Sequence, residues 1–363
     1  MSAMLTLRAL RSVAVEVPMA IPLGTSAQTI DRATLLLVDL ETEEGVTGRA
    51  YVFCVLRAVA APTAHLVDEA LRILKGSKIA PFEIRTKLLR HFRLMGVQGV
   101  VRMALAGIDV ACWDALSIAA RLPLVRMLGG VPKPVPAYNS RGLGLMRLEA
   151  LANEAEALLE GGFRGIKLRL GYATLEQDVA AVQAVRRRIP DDVVLMVDFN
   201  QALTKAEAFR RGRAIDHEGI YWIEEPIRHD DYAGNAEIAA ELATPVQIGE
   251  NFSGPQAMAA AIAANACDYV MPDLERIGGV SGWLQAAGLA AAAGMEMSSH
   301  LYPETSAHLL AVTPTAHWLE YVDWANPILR EPMEIVDGAA IVPDRPGTGI
   351  EWNGEAVARY RIE

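Results

Sequence analysis

From about residue 131 onward, short apolar runs alternate with Ala-rich segments, and almost every run carries an acid or a base at or near its end. The runs occupy 135–140, 165–170, 193–200, 219–225, 245–251, 269–273, 296–300 and 318–321. Eight strand-length runs, each followed by a helical stretch at spacings of roughly 20 to 30 residues, predict a barrel of parallel strands with helices outside. An open doubly wound sheet is the structural alternative. Such a sheet usually carries a Gly-rich phosphate loop after a strand, and the chain contains neither G-x-G-x-x-G nor a P-loop motif.

The first 130 residues follow another pattern. Residues 4–17 and 33–40 predict strands, Glu44-Gly45 a tight turn, and 46–53 a returning strand. Positions 57–129 are mostly helical; 99–121 places apolar residues at helical spacing until Leu128-Gly129-Gly130 stops it. Strands followed by helices make an α+β domain. Pro132, Pro134 and Pro136 mark its boundary. The predicted organisation is an α+β domain over 1–130, a barrel over 131–321, and a tail, 322–363, that returns to the first domain.

Charge and cysteine usage narrow the function. A net charge of -10 leaves no excess of Lys and Arg to neutralise phosphates, so a nucleic-acid partner is not expected. Cys54, Cys112 and Cys267 are widely spaced, with no metal-type cluster, which fits a reducing cytoplasm. Arg8 and Arg11 interrupt the first apolar stretch, so no signal-peptide core is expected. The apolar run 284–297 is broken by Gln285 and Glu296 and is too short to span a bilayer. A cytoplasmic protein without a membrane partner is expected. The Ala-rich outer helices suit packing into a homo-oligomer.

The chemistry lies where the runs end. Asp198, Glu224, Glu250, Asp273, His300 and Glu320 occupy successive strand ends, and the C-terminal strand ends of a barrel converge on one site. Asp198, Glu224 and Glu250 come from three consecutive strands. Facing one another, they would repel unless a cation sat between them, and all-oxygen ligation selects a hard ion such as Mg2+. Glu225 and Asn251 would face away or support the ligands from behind. Lys167 and Arg169, two apart in one strand, point to the same side. Ser140 ends the first run and is a further candidate substrate contact.

These motifs resemble a known family. Asp198-Phe199-Asn200, Trp222-Ile223-Glu224-Glu225-Pro226, Gly249-Glu250-Asn251 and Pro272-Asp273 resemble barrel motifs of the enolase superfamily. Ser298-Ser299-His300-Leu301, Ala316-His317-Trp318-Leu319-Glu320 and Ala106-Gly107-Ile108-Asp109-Val110-Ala111-Cys112-Trp113-Asp114 are similar to the mandelate racemase/muconate lactonizing enzyme family, nearest its mandelate racemase branch. The resemblance implies an α/β protein with a (β/α)7β TIM-like barrel, an N-terminal α+β capping domain supplying a lid, one Mg2+, and a small-molecule carboxylate substrate. It further implies that Lys167 holds the substrate carboxylate and that a protonated Glu320 donates to it. Asn200 then places the α-substituent, and Asp273 orients His300 as acid/base on one face. A metal ion and hydrogen-bond donors would stabilise the enediolate formed when the α-proton leaves.

Arg169 departs from the family pattern, in which a lysine base stands at this position. Guanidinium is effectively always protonated, so it can bind an oxyanion or act as a fixed electrostatic donor but is a poor base. A strict two-base racemase is thereby in question, whereas a dehydratase needs one base. The lid argues the other way. Leu23, Ile30 and Val55 offer an apolar wall with few polar groups for a sugar chain, which suits racemase-type 1,1-proton transfer on an aryl or alkyl 2-hydroxycarboxylate. That transfer is the expectation, with one-base acid-sugar dehydration as its alternative. A barrel glycosidase would need an open aromatic groove, and aromatics make up only 6% of the chain. A non-catalytic carboxylate-binding relative would have no use for the Asp273 and His300 pair. Asn251-Phe252-Ser253 matches a glycosylation sequon but ends a barrel strand, so it is set aside. His317 is ambiguous, and His229 and His308 read as surface or helix positions.

Overall fold

The computed structural model describes residues 4–362. The N-terminal domain is a meander of three antiparallel strands, β1 (Leu7–Gly24), β2 (Thr29–Thr42) and β3 (Thr47–Phe53). Helices α1 (Arg57–Leu74), α2 (Pro81–His91), α3 (Gly99–Ala120) and the single turn α4 (Leu124–Met127) cover it. Close approach of α3 to β3 depends on glycine: a Cβ at Gly48 would overlap the carbonyl of Ala111. Among the described residues α3, not the 284–297 run, is the helix long and apolar enough to cross a membrane. It is mostly buried, packed between the sheet and the barrel helices, and reads as a core helix.

The lid differs from expectation. The two strands, expected over 4–17 and 33–40, extend through it, so that 19–30 is the outer part of the β1–β2 hairpin, with Leu23 paired to Ile30 and Gly24 to Thr29. Thr25 Oγ1 accepts from the N–H groups of Ala27 and Gln28, which closes the turn.

The second domain is a closed (β/α)7β barrel. In chain order it runs β4 (Val135–Asn139), α5 (Leu148–Ala157), β5 (Gly165–Arg169), α6 (Leu175–Arg186), β6 (Val194–Asp198), α7 (Lys205–Ile215), β7 (Ile220–Glu224), α8 (Tyr232–Glu241), β8 (Val246–Ile248), α9 (Pro255–Ala263), β9 (Tyr269–Val270), α10 (Leu274–Ile277) and α11 (Gly279–Ala293). A seventh extended segment, 296–300, then leads to α12 (Pro303–Leu310) and β10 (Leu319–Tyr321). All neighbouring barrel strands are parallel, and β10 closes the ring onto β4. The segment 296–300 makes only single bridges, Met297 to Val270 and Ala316, and His300 to Asp273. It holds its place in the ring without forming a regular strand.

The tail reaches both domains. Its hairpin β11 (Ile335–Val336) and β12 (Ala339–Ala340) pairs with the start of β4. Beyond it, helix α13 (Gly354–Tyr360) leads to Arg361, which bridges to Val15 of β1. The hairpin and α13 were not expected from the sequence.

Candidate active site

Each strand end delivers one polar group to the mouth of the barrel because alternate residues of a strand share a face. Lys167 and Arg169 of β5 both line a cavity of about 300 Å3, with Asp198, Asn200, Glu250, His300 and Glu320. Leu23, Ile30, Phe53 and Val55 close it from the first domain. The candidate residues named from sequence therefore meet at or beside one cavity. Ser140 and Glu224 sit behind its wall, and Asp273 stands behind His300.

Asp198, Glu224 and Glu250 offer carboxylate oxygens that all lie within 4.8 Å of one another. Lys167 Nζ is 2.8 Å from Glu224 Oε1 and 3.4 Å from Asp198 Oδ2, but it also sits 2.8 Å from Glu320 Oε1. One ammonium shared among these carboxylates cannot balance them, and the donors are all hard oxygens. The residues fit a hard divalent cation. Burial and the neighbouring Asp198 push Glu224 up to about 8, despite the opposing pull of Lys167. Burial also acts on Glu250, but His300 and Arg276 outweigh it and hold that carboxyl down. Asn251 Nδ2 donates to both oxygens of Glu225 at 2.9 and 3.1 Å and to Glu250 Oε1 at 3.0 Å, so this pair supports a ligand from behind as expected. Glu225 has φ +39°, a left-handed conformation that aims successive glutamates in different directions.

His300 is placed for proton transfer. Its Nδ1 donates to Asp273 Oδ2 at 2.8 Å, and its Nε2 lies 3.2 Å from Glu250 Oε2 and 3.7 Å from Glu320 Oε2. Burial would depress its basicity, but the surrounding carboxylates raise it well above the ordinary histidine value. Asp273 is fixed in turn, since its Oδ1 accepts from the N–H groups of Glu275 and Arg276 at the start of α10.

Glu320 differs from expectation. Its Oε1 accepts from Lys167 and from Ser140 Oγ at 2.7 Å, and its Oε2 accepts from the Leu301 N–H at 2.9 Å. Three donors suit an acceptor. Burial opposes ionisation, yet Lys167 and His300 lower the Glu320 carboxyl to about 2. These surroundings favour its carboxylate form, whereas the sequence pointed to a protonated donor toward the substrate carboxylate. Ser140 is likewise a support for Glu320 and Arg169 rather than a group turned to substrate.

Arg169 is immobilised. Its Nη1 donates to the carbonyls of Ser140 at 3.0 Å and Gly142 at 2.8 Å, and its Nη2 donates to Ser140 Oγ at 2.7 Å. Only Nε is left without a partner. Asn200 Oδ1 is also buried and unpartnered, while its Nδ2 donates to Asp198 Oδ2 at 3.0 Å. These two atoms are a donor and an acceptor left unmatched in residues that line the cavity.

Four lining residues were missed in the sequence, the first being Gln201, next to Asn200. Arg276, in the first turn of α10, lies 3.6 Å from Glu250 Oε1. Val322 and Trp324 come from the tail, and the Trp324 ring lies 5.0 Å from that of Phe53. His317 is not part of the site. It sits in an aromatic cluster with Tyr221, Trp222 and Tyr269. His308 is buried in α12, where Nδ1 accepts from the Val125 N–H, and His229 is half-buried beyond β7.

Comparison with known proteins agrees with this geometry. Residues 8–129 match the N-terminal domain of mandelate racemase/muconate lactonizing enzymes, and residues 150–357 match the enolase C-terminal-domain-like family. The chain belongs to the enolase superfamily, in its mandelate racemase/muconate lactonizing enzyme family. It is 32% identical to L-talarate/galactarate dehydratase of Salmonella typhimurium, covering 90% of this chain and 82% of that one. It is 34% identical to 3,6-anhydro-alpha-L-galactonate cycloisomerase of Streptomyces coelicolor, covering 90% and 91%. A Bradyrhizobium enolase crystallised with magnesium and mandelic acid superposes with a TM-score of 0.96 over the whole of both chains, at 41% identity. The metal of this family member is magnesium, and Asp198, Glu224 and Glu250 are the residues that fit it.

Proposed function

We propose that the protein removes the α-proton of a 2-hydroxycarboxylate with His300 and completes the reaction on that one face, expelling a β-hydroxyl as water. The observation that carries this reading is the immobilised Arg169. All of its terminal hydrogen bonds go to backbone carbonyls and to Ser140, and guanidinium does not give up a proton at working pH. His300 is then the single acid/base. Magnesium, when bound, supplies positive charge that stabilises the developing enediolate.

The chain's own residues do the rest. Lys167 keeps its charge, since Glu224 and Glu320 outweigh the effect of burial, and attracts the substrate carboxylate. Arg169 Nε and Asn200 Oδ1 flank the place for the α-hydroxyl. His300 Nε2 takes the α-proton and the C–H pair moves toward the carboxylate. The pair then returns to form a carbon–carbon double bond as the β-carbon–oxygen bond breaks. His300 returns its proton to the leaving hydroxide, and the enol product tautomerises to a 2-oxo acid. A dehydratase and a cycloisomerase among the relatives support such chemistry for this chain.

Racemisation is the second reading. Leu23, Ile30, Phe53, Val55, Val322 and Trp324 make much of the wall apolar, and a relative binds mandelic acid, which has no β-hydroxyl. The three cysteines are buried and free, which supports a cytoplasmic setting for either reaction.

A panel of 2-hydroxy acids, sugar-derived and aromatic, incubated with the Mg2+ enzyme in deuterated buffer and followed by proton NMR separates the two. Dehydration predicts loss of the substrate signals with matching growth of a 2-oxo acid. Deuterium at the α-carbon of both enantiomers, without a 2-oxo acid, would replace the first reading by the second.

A further inference from the structure

A second cavity, of about 440 Å3, opens beside the catalytic one, between the start of α3 and the loops after β7, β8 and β9. The two cavities share Asn251 and Arg276. We infer that this second cavity is a binding site for a phosphate group, free or as a monoester, built around Arg102 and Arg276.

Arg102 shows the need most clearly. Its Nε donates to the Val97 carbonyl at 3.1 Å, and among the described residues no carboxylate lies within ion-pair distance of its guanidinium. Burial and the neighbouring Arg85 both work against its charge. The fold nevertheless makes room for it. Gly254 stands against this guanidinium, and a Cβ there would lie 2.9 to 3.1 Å from Nη1, Cζ and Nη2. A partly buried guanidinium that has space but no counter-charge favours an anion.

Other donors belong to residues that line the same cavity. Ser253 Oγ is buried without a partner. Arg276 donates from Nη1 to the Glu250 carbonyl at 3.1 Å and lies 3.6 Å from the Glu250 carboxylate, while its Nε and Nη2 make no hydrogen bond among the described residues. Helix α3 begins here, at Gln98 and Gly99, with no side chain capping its first-turn N–H groups. The acid on the wall, Asp230, is already held by Arg228 at 2.7 Å. Donors thus approach from α3, the β8 loop and α10. A planar carboxylate is satisfied by one guanidinium fork, whereas a tetrahedral oxyanion can accept from three sides. The cavity leaves room for a group esterified to the phosphate.

The test is calorimetric titration of the Mg2+-loaded protein with inorganic phosphate, glycerol phosphate and acetate. One phosphate should bind per chain, with acetate at least tenfold weaker. Tighter binding of glycerol phosphate would assign the monoester form, and tighter binding of inorganic phosphate the free ion. Arg102→Gln, which keeps the length and loses the charge, should weaken phosphate about tenfold or more. Lys167→Met should leave phosphate binding in place, because it removes the catalytic cation only. Ser253→Ala, the gentlest change, should weaken binding about threefold and keeps the test alive if Arg102→Gln fails to fold. Unchanged affinity in Arg102→Gln or in Ser253→Ala, loss of binding in Lys167→Met, or acetate binding as tightly as phosphate would overturn the assignment.

Discussion

At one end of the barrel, Lys167, Asp198, Glu224, Glu250, His300 and Glu320 crowd around a cavity; at the other, Tyr138, Met196 and Trp222 form a closed cluster against Tyr221, Tyr269 and Trp318. The same strands build both ends. In β7, Trp222 faces inward two residues before Glu224, and its indole Nε1 donates to Glu224 Oε2 at 3.2 Å. Each end also contains a histidine. His317, among the aromatics, is pushed down to about 4 by burial alone, while His300, more deeply buried, is raised because carboxylates surround it. Burial acts on both, and the neighbours decide which histidine is the stronger base. Charges left close together form the reactive end, and filled space forms the stable end.

Metal removal should separate the two ends most sharply. EDTA, or Glu224→Gln, should abolish turnover while leaving the folded state intact by circular dichroism, with Mg2+ restoring only the chelated wild type. Full activity in a verified metal-free sample would contradict the assignment of Asp198, Glu224 and Glu250.

Trp222→Ala tests the opposite end. Emptying a fully buried indole site should cost about 3–5 kcal/mol of stability in denaturant titrations. Trp222→Phe, which keeps the ring and loses the bond to Glu224, should cost about 1 kcal/mol. If Trp222→Ala left stability unchanged, the claim that this end serves packing would fail.

A pH dependence probes the same packed end. A histidine whose folded value lies near 4, below the unfolded value of about 6.5, contributes stability that is full above pH 6.5. Between pH 6.5 and 4 the unfolded chain binds the extra proton, so that contribution is lost as pH falls. His308, also lowered to about 4, acts in the same sense. His317→Phe should flatten the stability profile over this window by on the order of 1–3 kcal/mol relative to wild type. An unchanged slope would show that His317 is not held neutral.

The difference between the ends also explains what could be read from the sequence. Apolar runs closing on Asp198, Glu224, Glu250, Asp273 and His300 announce both the strands and the site, because a charge at the end of a buried strand needs a reason to be there. Groups that enter from distant chain carry no such signal. Trp324 and Val322 line the cavity only because the tail crosses the barrel mouth. The lowered Glu320 carboxyl follows from Lys167 and His300, and the Ser140 Oγ and Leu301 N–H that also bond it come from β4's end and the 296–300 segment's exit, contacts that only the fold brings together. Arg169 is plain in the sequence as a poor base, but the carbonyls of Ser140 and Gly142 that immobilise it appear only in the fold. The lid residues were located correctly as wall, yet their hairpin pairing was hidden because Met19-Ala20-Ile21-Pro22 does not alternate as a strand should.

The account rests on His300 as the acid/base of the reactive end. The decisive measurement is the rate of solvent deuterium exchange at the substrate α-carbon, followed by proton NMR with each enantiomer of a turned-over 2-hydroxy acid, for wild type and His300→Asn loaded with Mg2+. Wild type should exchange one enantiomer only, and His300→Asn should slow that exchange by about 10²–10⁴-fold while binding Mg2+ as before. Undiminished exchange in His300→Asn would contradict the account, and equal exchange of both enantiomers by wild type would place a second base at the mouth.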